Sequence, residues 1–309
     1  MKIAILRPIF LFALLLGAGS GFSGPAACAE DESAVATVTT SDVAAEVEAA
    51  DSVDPLASEP AEPEVTAPLV LQEEDPLAAM VGESLPYDIS FLWFNRLAHA
   101  RLSFVPGQES GTYRATLDTN TRGLAATLTR NRSDVFSSVM ERLPDGRLRS
   151  LVYESQTTRG RGSSRATRIS RYTYNYAEGE IYRDRIRGGE QSREVYEMPE
   201  DGFFNDVLTA FYNFRAGYFG EIVPGGRYEI PTFTRHGSGS IIVQVYAEGH
   251  RPFGTDFPSS GILCRVEIDE EIFDTGDGDV YVWFDDLGRP AIGVVENVLN
   301  VGDVRGRLL

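Results

Sequence analysis

The chain has 309 residues, with 28 basic against 46 acidic side chains and a formal net charge of −18. That acidic balance speaks against nucleic acid as a partner, because a polyanion is met by basic surface. Two cysteines, Cys28 and Cys264, are too few for a disulfide-built scaffold.

Lys2 and Arg7 form a short positive segment, and Ile9 to Leu16 is almost wholly apolar. The run is shorter than the about 20 residues that span a bilayer, and Pro8 interrupts it. Small residues follow to Ala27-Cys28-Ala29, an A-x-A-like cleavage site before Glu30. Residues 1–29 therefore read as a signal peptide, and the protein as exported to the periplasm. Ala26-Ala27-Cys28 also resembles the end of a lipoprotein cleavage site, which would anchor the chain through Cys28. Pro25 in place of leucine, and an apolar core that ends at Leu16, favour its removal. Cys264 then stands alone in Ile262-Leu263-Cys264-Arg265-Val266-Glu267-Ile268. It shares a face with Ile262, Val266 and Ile268, which predicts a buried small hydrophobe rather than a reactive thiol.

From Glu30 to Asp75 the chain holds 14 acidic residues and neither an aromatic nor a basic one. Such a stretch cannot bury enough apolar surface to offset its conformational entropy, so residues 30–80 are expected to form a disordered acidic tether. Outside this stretch, and after removal of the signal, 32 acidic residues face 26 basic ones, every one an arginine.

Residues 81–309 read as a single β-rich domain. Tyr87, Ile89, Phe91 and Trp93 alternate along the first strand and project to one side. Further strands are predicted over 100–105, 113–119, 148–157, 165–176, 228–234, 240–247, 261–268, 280–284, 291–295 and 304–309. Turn signals such as Pro106-Gly107, Pro144-Asp145-Gly146 and Gly288-Arg289-Pro290 separate them. Short turns make antiparallel neighbours, and so many strands must curl into a half-barrel, barrel or sandwich. One helix interrupts the strands, over 205–216. Val207, Leu208, Phe211 and Phe214 recur at helical spacing, Asn205 or Asp206 serves as cap, and Gly217 and Gly220 supply the stop. Its aromatic face packs on the sheet or lines a pocket.

Four pieces carry a family likeness: Glu83-x-Leu85-x-Tyr87-Asp88; Asp206 to Arg215 (D-V-L-T-A-F-Y-N-F-R); Pro224 to Pro231 (P-G-G-R-Y-E-I-P); and Val282-Trp283-Phe284-Asp285-Asp286-x-x-Arg289-Pro290. In this order they resemble the DUF3108 family of exported bacterial proteins, which has no assigned activity. The resemblance spans residues 81–309. It implies a periplasm-facing β domain and no particular chemistry. A curved sheet like the half-barrels of lipoprotein carriers is a fold-level analogy to it.

The sequence holds no recognisable catalytic or cofactor signature. His99, His236 and His250 have no partner at a metal-binding spacing. Asp274 to Asp279 has glycine where a calcium loop needs oxygen ligands, and reads as a hairpin turn. Gly237-Ser238-Gly239-Ser240 is no nucleophile elbow. The distinctive surface signal is arginine. Arg159, Arg161, Arg165, Arg168, Arg171, Arg183, Arg185 and Arg187 fall in one presumed hairpin interleaved with Tyr172, Tyr174 and Tyr176. Arg168, Arg171, Arg183, Arg185 and Arg187 are the candidates for contact with anionic headgroups or lipopolysaccharide phosphates, though a charged edge that resists aggregation has the same composition.

These readings favour a non-enzymatic envelope protein that holds a lipid-like ligand in a curved sheet. Tyr87, Ile89, Phe91, Trp93, Phe211, Tyr212 and Trp283 would line it, and Arg215 would orient a charged head. The expectation requires an apolar hollow that side chains leave unfilled. The alternative is an adaptor that binds another envelope protein by strand addition. A carboxylate-dependent hydrolase ranks third.

Overall fold

A computed structural model describes residues 75–92, 94–198, 203–234, 237–250, 256–267, 279–298 and 302–309. The expected signal peptide with Cys28, the part of the expected tether (30–80) before residue 75, Trp93, His236, Ile268 and the turn at 274–278 lie outside the described residues.

Fourteen strands form one antiparallel sheet. They are β1 (Ser84–Phe91), β2 (Phe94–Pro106), β3 (Thr112–Thr121), β4 (Ser133–Arg142), β5 (Leu148–Arg159), β6 (Ala166–Asn175), β7 (Glu180–Arg187) and β8 (Glu190–Glu197), then β9 (Arg227–Thr234), β10 (Gly237–Val245), β11 (Ile262–Glu267), β12 (Val280–Phe284), β13 (Pro290–Val298) and β14 (Gly302–Leu308). Among the described residues two α-helices accompany them, α1 (Gly123–Leu128) and α2 (Val207–Arg215). Sequence neighbours pair throughout except at two places. β1 pairs with β14, from Tyr87↔Leu308 to Phe91↔Val304, and so joins the two ends of the domain. β8 and β9 are the free edges, connected through α2.

The sheet curls around α2 without closing hydrogen bonds between its edges. Helix α2 lies against β3, β4 and β5 on one side and β9 on the other. Tyr212 stacks on Phe104 of β2 with ring centroids 4.1 Å apart, and Phe214 meets Tyr228 of β9 and Phe284 of β12. Among the described residues the two edges meet through side chains: Tyr196 of β8 and Phe233 of β9 pack edge-on at 5.3 Å. Strand alternation places Leu85, Tyr87, Ile89 and Phe91 on the concave side, all buried. Among the described residues no helix is long and apolar enough to cross a membrane.

Helix α2 begins where the sequence places it. Asp206 is its cap, with Oδ1 accepting from the amides of Leu208 (2.9 Å) and Thr209 (3.1 Å). Gly217, at φ +75°, ends it. Sequence periodicity did not reveal β4 or β8. In β4 the inner positions run Asp134, Phe136, Ser138, Met140, so two polar residues break the apolar alternation. In β8 the sequence EQSREVYE carries too little apolar pattern, and the strand is largely exposed.

Candidate functional site

Two ends of the curled sheet differ in chemistry, and the strand directions say which residues share an end. At one lie the start of β1, the β4–β5 turn and the β12–β13 turn; at the other lie the β1–β2, β3–β4, β5–β6 and β7–β8 connections.

The first end is a structural clasp. Arg215, at the end of α2, donates Nη1 and Nη2 to the two carboxylate oxygens of Glu83 at 2.7 and 2.8 Å, and Nε to the Gly288 carbonyl at 3.1 Å. The Tyr87 hydroxyl donates to the Pro290 carbonyl at 2.8 Å, and burial raises its pKa. Asp285 closes the β12–β13 turn by accepting from the amides of Leu287 and Arg289 and from the Arg289 guanidinium. Segments around residues 85, 210 and 287 are thereby tied together. Side-chain exposure at the ion pair is 4% for Arg215 and 14% for Glu83, so the guanidinium that could have oriented a ligand head is already engaged.

The middle of the concave face is packed. Tyr87, Ile89, Phe91 and Tyr212 are buried in the main core, and Phe211 packs against it. A buried polar network fixes the helix there: Asp206 Oδ2 accepts from the hydroxyls of Ser138 (2.6 Å), Ser150 (2.7 Å) and Thr209 (2.8 Å). Asn213 both donates to and accepts from the Leu148 backbone, at 2.7 and 2.8 Å, like an extra strand residue. Burial pushes the Asp206 carboxyl above its ordinary value, against the hydrogen bonds that pull it down. Between α2 and β9–β12 an apolar hollow of about 60 Å³ remains, lined among others by Phe211, Phe214, Ile230, Cys264 and Phe284. It has room for a few waters, not for an acyl chain. Cys264 is fully buried with Ile262 and Val266 on this side, and burial pushes its thiol up to about 12.

Trp283 is not with the other aromatic residues. It projects from the opposite face of β12, packed with Leu263, Tyr281, Ile292 and Val294 in a second cluster. Its Nε1 donates to the Ser260 carbonyl at 2.8 Å. Gly261 makes this possible: at φ +71°, a Cβ there would stand 2.9 Å from the indole and 2.3 Å from the Phe284 carbonyl.

At the second end the arginines gather. Register puts Arg168 opposite Arg187, Ser170 opposite Arg185 and Tyr172 opposite Arg183, all on the concave side with Tyr172 and Tyr174. Arg159 of β5 shares that face by alternation from Tyr153. Of the five predicted arginines, three are ion-paired. Arg171 binds Glu154, and Arg183 and Arg185 both bind Glu194. Arg168 and Arg187 make no ion pair among the described residues, and neither do Arg130, Arg159, Arg161 and Arg165. Loss of solvation, with the charges of Arg132, Arg168 and Arg130, pushes the Arg159 guanidinium below its ordinary pKa. Three buried donors on adjoining concave positions, Ser170 Oγ, Arg183 Nε and Arg185 Nε, have no acceptor. Sequence reading missed Arg130, which the Gly160 amide reaches only in the folded chain, and Ser170, whose short side chain gave no signal within the hairpin. It also missed a shallow cleft of about 540 Å³ beneath the β2–β3 turn, lined by Asp75, Ala78, Val81 and residues 106–113.

The sequence matches a family described as Protein of unknown function (DUF3108) over residues 86–308. The chain belongs to the DUF3108 family. No curated protein and no solved structure matches it. Three of the four pieces that suggested DUF3108 build the clasp and the helix anchor, and Pro231 of the fourth accepts the Asn205 side-chain amide at 2.9 Å. In this DUF3108 chain those residues hold the fold, and the arginine end lies apart from them.

Proposed function

We propose that this protein is a non-enzymatic, exported binding protein of the cell envelope that takes the anionic, phosphate-bearing head of a lipid-like ligand at the arginine end of its concave face. Export is supported by the positive segment, apolar run and small-residue cleavage site of residues 1–29. The observation that carries the binding site is the set of three buried donors, Ser170 Oγ, Arg183 Nε and Arg185 Nε, facing one side without an acceptor. A buried donor left unpaired costs about 1–3 kcal/mol, and a phosphate supplies several acceptor oxygens at once. Arg168 and Arg187 are directly opposed across β6 and β7, with Glu190 opposite Arg187 on β8, and an anion between the two arginines would offset their repulsion. The filled interior supports capture of the head rather than of the hydrocarbon.

An adaptor role by strand addition would use the outer edge of β8, since Asn205 already bonds the edge of β9 at Pro231 and Phe233. Glu190, Arg193, Glu194 and Glu197 stand on that strand, the composition that discourages edge pairing. Headgroup binding is the better reading.

Titration of the full chain with short-chain phosphatidylglycerol, kept below its micelle concentration, tests it. Saturable binding that weakens at least about tenfold in Arg185→Gln and in the double variant Arg168→Gln/Arg187→Gln is expected. Absence of binding by the wild-type chain sinks the reading.

A further inference from the structure

The same end of the sheet carries a second, apolar feature. Helix α1 buries Ala125 and turns Leu124 and Leu128 outward, 64% and 57% exposed. They are one helical turn apart, so they form a single projecting pair. Leu92 and Phe94, flanking the β1–β2 turn, are 37% and 45% exposed at the same end. Leucines on a helix this short gain nothing for folding by facing water, and a grouped apolar surface rimmed by cations marks an interaction site. Around it stand Arg122, Arg130, Arg159, Arg161 and Arg165, all exposed. The backbone is unusual here too. The non-glycine residues with positive φ among the described residues are Leu92, Arg96, Arg130 and Asn131, at +52° to +60°, and all four sit in the β1–β2 and β3–β4 connections or beside them. Residues held in the left-handed region persist where the surroundings impose it, and they concentrate at functional surfaces.

From this arrangement we infer that the β1–β8 half of this end docks onto an anionic lipid bilayer, with Leu92, Phe94, Leu124 and Leu128 entering the interface and the surrounding arginines meeting lipid phosphates. The inference rests on the headgroup reading above and names the surface from which that head is taken. On the other half the described carboxylates of this end, Glu267, Asp279, Glu296 and Asp303, outnumber Arg265 and Arg305, which pair with three of them, so charge orients the β1–β8 side toward the membrane. Arginine suits the role because its stem covers apolar surface while its fork binds phosphate. The chain enters the domain at Asp75, ion-paired to Arg142 at the opposite end of β4. Eight residue steps of strand separate Arg142 from Asp134, about 27 Å, so Asp75 itself lies far from the docking end.

The test is co-sedimentation of the full chain with vesicles of phosphatidylcholine alone and of phosphatidylcholine mixed with phosphatidylglycerol. Binding to the mixed vesicles only, weakening as salt rises, is the expected result. Leu124→Asp/Leu128→Asp should reduce it at least about tenfold while leaving binding of the soluble short-chain lipid intact. Leu287→Asp, an exposed position of the opposite end, should change neither. Equal binding to both vesicle types, or unchanged binding by the Leu124/Leu128 variant, overturns the docking inference. Loss of soluble-lipid binding in the wild type overturns the headgroup reading instead.

Discussion

Arg215 and Glu83 form a two-pronged ion pair at 2.7 and 2.8 Å that ties the end of helix α2 to the start of strand β1. It lies 132 residues apart in sequence and is nearly closed to solvent. Removing one partner leaves a charge stranded in a low-dielectric site, which costs about 3–5 kcal/mol. Glu83→Ala and Arg215→Ala are each expected to lower the urea unfolding free energy by that amount. The pair Glu83→Leu/Arg215→Met should recover most of the loss, since replacing both charges by apolar groups is close to neutral. A double variant as unstable as the sum of the singles would show that the two residues act independently.

Asp206 is the second keystone. Five donors converge on its carboxylate: two backbone amides and three hydroxyls. Asp206→Ala removes the helix cap and strands several buried donors, a cost of roughly 3–5 kcal/mol. Ser138→Ala removes one hydroxyl and should cost about 1 kcal/mol. Thermal unfolding of both variants checks the ranking.

Acid sensitivity follows from Asp285. Although its burial acts in the opposite sense, the hydrogen bonds and charge of Arg289, with the turn amides, hold the carboxyl below its ordinary value of 3.8. A folded-state pKa below the unfolded one contributes stability that is complete above the unfolded value and is lost as pH falls through the folded one. The melting temperature of the wild type should therefore drop on acidification through and below 3.8. Asp285→Asn should be less stable at neutral pH and show a shallower acid decline.

Cys264 should be inert in the folded protein. It is fully buried, and its thiol is pushed up to about 12, so little reactive thiolate forms near neutrality. Iodoacetamide at mildly alkaline pH is expected to leave Cys264 unmodified in native protein and to alkylate it fully in urea, as read by intact mass. Rapid native labelling would contradict its place in the core.

The strands with apolar alternation, the helix with its Asp206 cap and Gly217 stop, and the buried cysteine were legible because each is a local matter. Periodicity, capping and turn chemistry act over a few residues. β4 escaped because Asp134 and Ser138 sit on its inner face, and their partners Thr157, Asp206 and Thr209 come from other elements. Trp283 was grouped with the wrong face for a related reason: alternation says which residues of a strand share a side, not which side faces the helix. The arginines were visible as a cluster, yet their charges were not all free. Glu194 engages Arg183 and Arg185 only because β8 pairs with β7 in one register.

By itself the amino-acid order determined that this chain would be an antiparallel, curved β protein with one capped helix, since hydrophobic spacing dictates which elements form. Tertiary structure alone decided that the helix would occupy the hollow of the sheet, that Arg215 would be committed to Glu83, and that Arg130, Arg159, Arg168 and Arg187 would gather with Leu124 and Leu128 at one end. Those outcomes depend on strand order, register and curvature, which bring together residues far apart along the chain, and no local pattern encodes such distances.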